Sequence, residues 1–238
     1  MTPAQQPDRL ADRQTAGAQL AEAVANWLAT RPDLPPPVVL ALPRGGVPVA
    51  APVAARLGAP LDLLLVRTLG AAGQPELAAG AVAEGMAGRI ENPQVIALSG
   101  MQPADLDAAA ARGRAEIARR RARWLPGRAP LPLAGRTAVV VDDGIATGAT
   151  TRAALRAVRA RGAAAVLLAV PVAPAETLAA LAAEVDGAVC LLTPAPFDAI
   201  GHHYADFHQL ADAEVTALLG GGTASGRPRP PLTGDDRP

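Results

Sequence analysis

The chain has 238 residues, half of them apolar and only 2% aromatic, so a sizeable core is possible but must be built from Ala, Leu and Val. The formal net charge is zero and every basic residue is Arg, which removes any global attraction to nucleic acid or anionic membrane and excludes chemistry that needs a lysine, such as a Schiff base or a Walker-type phosphate lysine. The single cysteine, Cys190, sits in the apolar run AVCLL and can form neither an internal disulfide nor a cysteine zinc site.

In chain order, residues 1–8 read as a loose end without a basic-then-apolar leader pattern, so a cytoplasmic protein is expected. Leu20, Val24, Trp27 and Leu28 recur at helical spacing and predict a helix over 12–29. VVLALP (38–43) is a continuous apolar run, as a buried parallel strand requires, and the turn RGGVP leads into a helix to about residue 57. LDLLLVR (61–67) predicts a second strand. The Gly- and Ala-rich stretch 69–85 has no clear periodicity and is expected to be mobile, with short strands at 81–84 and 89–92 pairing as a hairpin. Residues 105–125 predict a long helix crowded with Arg112, Arg114, Arg119, Arg120, Arg121 and Arg123. The neutral total and the scarcity of aromatics favour a solvated helix face over a nucleic-acid patch. Then TAVVVDD is a strand, 150–161 a helix, AAVLLAVPV a strand, 174–184 a helix and GAVCLLT a strand, with 212–219 closing the fold. The longest apolar stretch, 163–175, is short and broken by Pro171, so no membrane span is expected. From 220 onward the Gly/Pro-rich composition predicts a disordered tail.

The alternation of strands and helices predicts an α/β fold over 9–219, with a mostly parallel central sheet covered on both faces. Ligands of such sheets bind beyond the carboxyl ends of the strands, where two Gly-containing turns lie: LPRGGVP and DDGIATGATT. In the second, Gly144 and Gly148 let backbone N–H groups approach an anion, Thr147, Thr150 and Thr151 add hydroxyls, and a helix near Thr150 offers its positive end to a phosphate. Asp142 and Asp143 suit the vicinal hydroxyls of a ribose, or a hydrated magnesium ion. The loop is therefore expected to hold a sugar phosphate.

VVVDDGIATGATT resembles the phosphoribosyl-pyrophosphate (PRPP) motif of type I phosphoribosyltransferases, and LALPRGGVPVA is similar to that family's pyrophosphate loop. The resemblance covers about residues 9–219. It implies a three-layer fold with a mobile loop and a small hood, at about 190–210 plus the N-terminal helix. It implies a Mg-dependent enzyme in which an acceptor attacks PRPP and pyrophosphate leaves. Matched by position, Asp142 and Asp143 would hold the ribose hydroxyls and, through PRPP and water, the metal. Gly144, Ile145, Ala146, Thr147, Gly148, Ala149, Thr150 and Thr151 would cradle the 5′-phosphate, and Arg44, Gly45 and Gly46 would take the pyrophosphate. Relatives often carry a non-proline cis peptide in the latter loop, with Arg44–Gly45 the candidate here. Arg67 is expected near the pyrophosphate, although Thr68 stands where relatives often have Lys. Glu76 and Glu84, in the region of the family's mobile loop, are candidate proton acceptors. Ala146 replaces the Asp of hypoxanthine/guanine enzymes, which disfavours a 6-oxopurine. Phe197, Tyr204 and Phe207 are expected to form an aromatic acceptor site in the hood, and a homodimer is a family-based expectation. The alternative is a non-catalytic PRPP- or nucleotide-sensing protein on the same fold.

Overall fold

The computed structural model describes residues 9–71 and 74–221, the side chains of 74–76 and 221 excepted. Helix α1 (Arg13–Ala29) starts where the Asp12 carboxylate accepts the amide of Thr15, and it buries Ala16, Leu20, Ala21 and Val24. Strands β1 (Pro37–Ala41) and β2 (Leu61–Leu63) follow, with α2 (Gly46–Leu57) between them. They join β6 (Thr137–Val141), β7 (Ala165–Val172) and β8 (Gly187–Leu192) in a five-stranded sheet of order β2-β1-β6-β7-β8, with every pair parallel. These strands are the continuous apolar runs of the sequence, and period-two alternation sends their side chains to both faces. On β6, Val139 and Val141 join one core with Leu20, Val53, Ile117 and Val215. Ala138 and Val140 join a second core with Leu155, Val158 and Leu181, contributed by α5 (Ala149–Ala160) and α6 (Ala175–Ala182).

From β1 the chain moves outward to β2 and later returns to the other side of β1 as β6. That reversal opens a crevice at the carboxyl ends of β1 and β6. Both Gly-containing turns empty into it, and α2 and α5 begin there.

A second, antiparallel sheet departs from expectation. The run 61–67 is not one strand: β2 stops at Leu63, Leu64 and Leu65 form a buried link, and β3 (Val66–Ala71) pairs with β4 (Gln74–Ala83) instead. The stretch expected to be mobile is thus largely this hairpin, with register irregularities at Leu69–Gly70–Ala71. The predicted short hairpin survives as Gly80↔Glu91 and Ala81↔Ile90, where β5 (Ile90–Glu91) joins β4. Helix α3 (Pro93–Ser99) was not expected; Asn92 caps it by accepting the amide of Val95, and Gly100 ends it at φ 67°. Helix α4 (Pro103–Trp124) matches the Arg-rich prediction. Helix α7 (Asp212–Gly221) runs two residues into the expected tail, the rest of which lies outside the described residues, as do residues 1–8. Among the described residues no helix is long and apolar enough to cross a membrane. Burial pushes the Cys190 thiol up to about 11, which suits an inert side chain.

Candidate functional site

The first turn follows β1. The cis peptide lies at Pro43–Arg44, one bond earlier than expected. Gly45 already has helical dihedrals (φ −57°, ψ −36°) as the cap of α2, so the Arg44–Gly45 bond belongs to the helix entry. The two glycines are needed because the second turn presses on them. A Cβ on Gly45 would overlap the Asp143 carboxylate, and one on Gly46 would lie 2.7 Å from the Val141 carbonyl oxygen. Among the described residues the amides of Arg44 and Gly45 have no intramolecular acceptor. The Arg44 side chain, expected over a pyrophosphate, is drawn to the start of α7 instead. Its Nη1 donates to the Leu210 carbonyl at 2.9 Å and its Nε lies 3.4 Å from Asp212. Asp212 also accepts from Trp124 Nε1 at 2.9 Å and pairs with Arg123 at 2.5 Å.

In the second turn the acid pair divides its work. Asp142 accepts the Asp143 amide and lines a cleft of about 70 Å³ with Pro43, Leu64, Arg67, Arg120 and Thr150. Asp143 is buried. Its carboxylate takes Arg13 Nε at 2.8 Å, and its backbone carbonyl accepts the Tyr204 hydroxyl at 2.6 Å. Arg13 is fixed in turn by the His208 carbonyl and by the Phe207 ring, 3.7 Å beneath it. Gly144 packs so closely on Ile200 that a Cβ would lie 2.6 Å from it. Gly148, at φ 77°, opens α5 with no side-chain cap. The amides of Gly144 and of residues 146–151 have no intramolecular acceptor among the described residues. Uncapped N–H groups at a helix start are an anion receptor in waiting. Burial, and next the charge of Asp143, push the Asp142 carboxyl well above the usual carboxylate range. Burial also raises Asp143, opposed by its hydrogen bond to Arg13.

Other candidates fall in different places. Arg67 lines the cleft beside Asp142 and has no partner among the described residues. Glu84 lies elsewhere: its carboxylate accepts from Arg121 at 3.1 Å, inside a buried group where Arg121 also binds Asp62 at 2.8 Å, and it is not among the residues lining the cleft. Burial raises its pKa, with Arg121 opposing. The Glu76 side chain lies outside the described residues. The three aromatic side chains expected at an acceptor site are largely engaged within the molecule. Tyr204 is 1% exposed and its hydroxyl is spent on Asp143, while Phe207 supports Arg13. With Leu10, Ala16, Val172 and Phe197 they fill a small core that braces the acid loop, leaving Tyr204 no face for a base. Along α4, Arg114, Arg119, Arg120, Arg121 and Arg123 all bond within the molecule, as a structural helix face does.

Among the described residues no cluster of three or more His, Cys, Asp or Glu could hold a metal. With Asp143 taken by Arg13, Asp142 is the carboxylate the cleft offers to a hard cation. Such an ion would draw its remaining oxygens from a bound substrate and water.

Fold and crevice together define an open, parallel α/β protein with an anion-receptive switch point. Within that class, the chain belongs to the phosphoribosyl transferase family: residues 8–192 match the model for the phosphoribosyl transferase domain. Two relatives from Mycobacterium tuberculosis strains CDC 1551 and H37Rv, provisionally named as phosphoribosyl transferases, are 48% identical to it over 208 residues. That match covers 87% of this chain and 46% of each relative, so the chain spans about half their length. The crystal structure of TT1426 from Thermus thermophilus superposes with a TM-score of 0.78 at 44% identity, covering 89% of this chain and 97% of that one.

Proposed function

We propose that the chain binds PRPP with Mg²⁺ in the crevice between β1 and β6 and transfers its phosphoribosyl group to a nitrogenous acceptor, releasing pyrophosphate. The observation that carries this reading is the run of unbonded amides at 146–151 beside the cleft-lining carboxylate of Asp142. The amides and the uncapped end of α5 receive the 5′-phosphate. Asp142 accepts hydrogen bonds from the ribose hydroxyls. Asp143, held by Arg13 and Tyr204, keeps the loop in place and sets the Gly45 approach. The free amides of Arg44 and Gly45 suit pyrophosphate oxygens, and Arg67 supplies a fixed cation as the leaving group gathers charge. A magnesium ion held there by Asp142, substrate oxygens and water would supply further neutralisation of that charge.

A second reading, PRPP sensing without turnover, draws support from Arg44 and Glu84. Both are engaged elsewhere, by Asp212 and by Arg121. Calorimetry with PRPP and magnesium tests the donor site. Wild type binds, and Asp142→Asn weakens binding at least tenfold. Absence of binding at millimolar PRPP discards the donor assignment. Pyrophosphate release in an acceptor screen then separates transferase from sensor.

A further inference from the structure

Between the β3–β4 hairpin and α4 lies a cavity of about 440 Å³, larger than the cleft at Asp142 and sharing the lining residue Arg67 with it. Its volume falls in the range of small-molecule sites. Its walls are small where the two elements meet. Ala109 and Gly70 leave space, and Gly113 lets α4 approach so closely that a Cβ there would lie 2.7 Å from Val82. Arg67, Arg112 and Arg119 face it, against the single carboxylate of Glu116, which Arg119 and Arg120 already share.

The charges are unusual for this molecule. Every other arginine among the described residues has a carboxylate or an oxygen acceptor; Arg67 and Arg112 have neither, and both open on this one cavity. Two unpaired guanidinium forks in one concave site match a group with several anionic oxygens, which they can grip in bidentate fashion. Thr68 adds a hydroxyl on the same wall.

We propose that this cavity is a second ligand site, taking a small molecule with a phosphate or polyphosphate group while the sugar-phosphate crevice is itself filled. It rests on the donor reading above only in its last clause. Because Arg67 faces both spaces, the two ligands draw on the same cation, and each weakens the other.

The test uses inorganic tripolyphosphate as the probe, by calorimetry at low ionic strength on the whole chain. Wild type binds it, Arg112→Gln weakens that binding at least tenfold, and the same variant changes PRPP affinity less than twofold. Asp142→Asn leaves tripolyphosphate binding intact. With PRPP and magnesium saturating, tripolyphosphate still binds, more weakly. Unchanged binding by Arg112→Gln overturns the proposal, as does loss of all tripolyphosphate binding under saturating PRPP, which would place the probe in the crevice. If PRPP fails to bind wild type, the donor reading falls, while the comparison of wild type with Arg112→Gln still decides whether the cavity holds the anion. Circular dichroism of Arg112→Gln checks its fold; among the described residues Arg112 makes no bond whose loss would disturb it.

Discussion

Asp142 is held in an environment that disfavours its charge, and the cost falls on the unliganded protein. Its folded pKa lies above the unfolded one, so folding favours the protonated form. The contribution of Asp142 to stability is therefore greatest below the ordinary carboxylate range and declines as pH rises through the displaced value. Asp142→Asn is expected to raise the melting temperature at pH 7–8, by about 2–4 °C for each kcal/mol recovered, and to flatten the pH dependence, while PRPP binding collapses. A lower melting temperature would contradict that account. In the wild type, PRPP affinity should fall on acidification at a pH above that of a free carboxylate, measurable by calorimetry across a pH series. Asp143 behaves oppositely toward mutation of its partner. Arg13→Gln strands a buried carboxylate and should destabilise by about 3–5 kcal/mol in urea unfolding, and adding Asp143→Asn should restore part of the loss. None of this was legible in the sequence. The motif identified both aspartates, but Arg13 sits 130 residues away in a helix whose periodicity speaks only of its apolar face.

Elements built from dense apolar runs were readable because burial on both faces leaves no other use for such sequences. All five strands of the main sheet come from them. The hairpin escaped because Ala and Gly carry little strand preference, and its pairing depends on α4 lying against it. Gly113 is where that contact is closest, and Gly113→Ala should push α4 from Val82, costing about 1–3 kcal/mol and lowering protection of the β3–β4 amides from hydrogen exchange. The short α3 was missed for a related reason: its cap at Asn92 reads equally as a turn. Helix α4 was found, but its arginines were taken as a single solvated face. Arg121 instead reaches inward to Asp62, whose oxygens also accept the amides of Leu63 and Leu131.

At the scale of the molecule, the crevice is assembled from both ends of the chain. The first helix supplies Arg13, and the segment after β8 supplies Tyr204 and the carbonyls of His208 and Leu210. The motif residues are contiguous in sequence and could be read; their supports lie far away and could not. The aromatic segment looked like a recognition surface because it gathers Phe197, Tyr204 and Phe207, yet its rings brace the acid loop.

Asp212 ties Arg44 to the indole of Trp124, and that junction gives the protein an optical readout of its own. The other tryptophan, Trp27, stacks under Arg31 and lies against Gly187. In a Trp27→Phe background, emission reports Trp124 alone. An anion that pulls Arg44 into the crevice leaves Asp212 to Trp124 and Arg123, so titrating pyrophosphate should shift the emission without any added dye. An Asp212→Asn variant should silence the shift, turning a static triad of side chains into a stopped-flow clock for loop engagement.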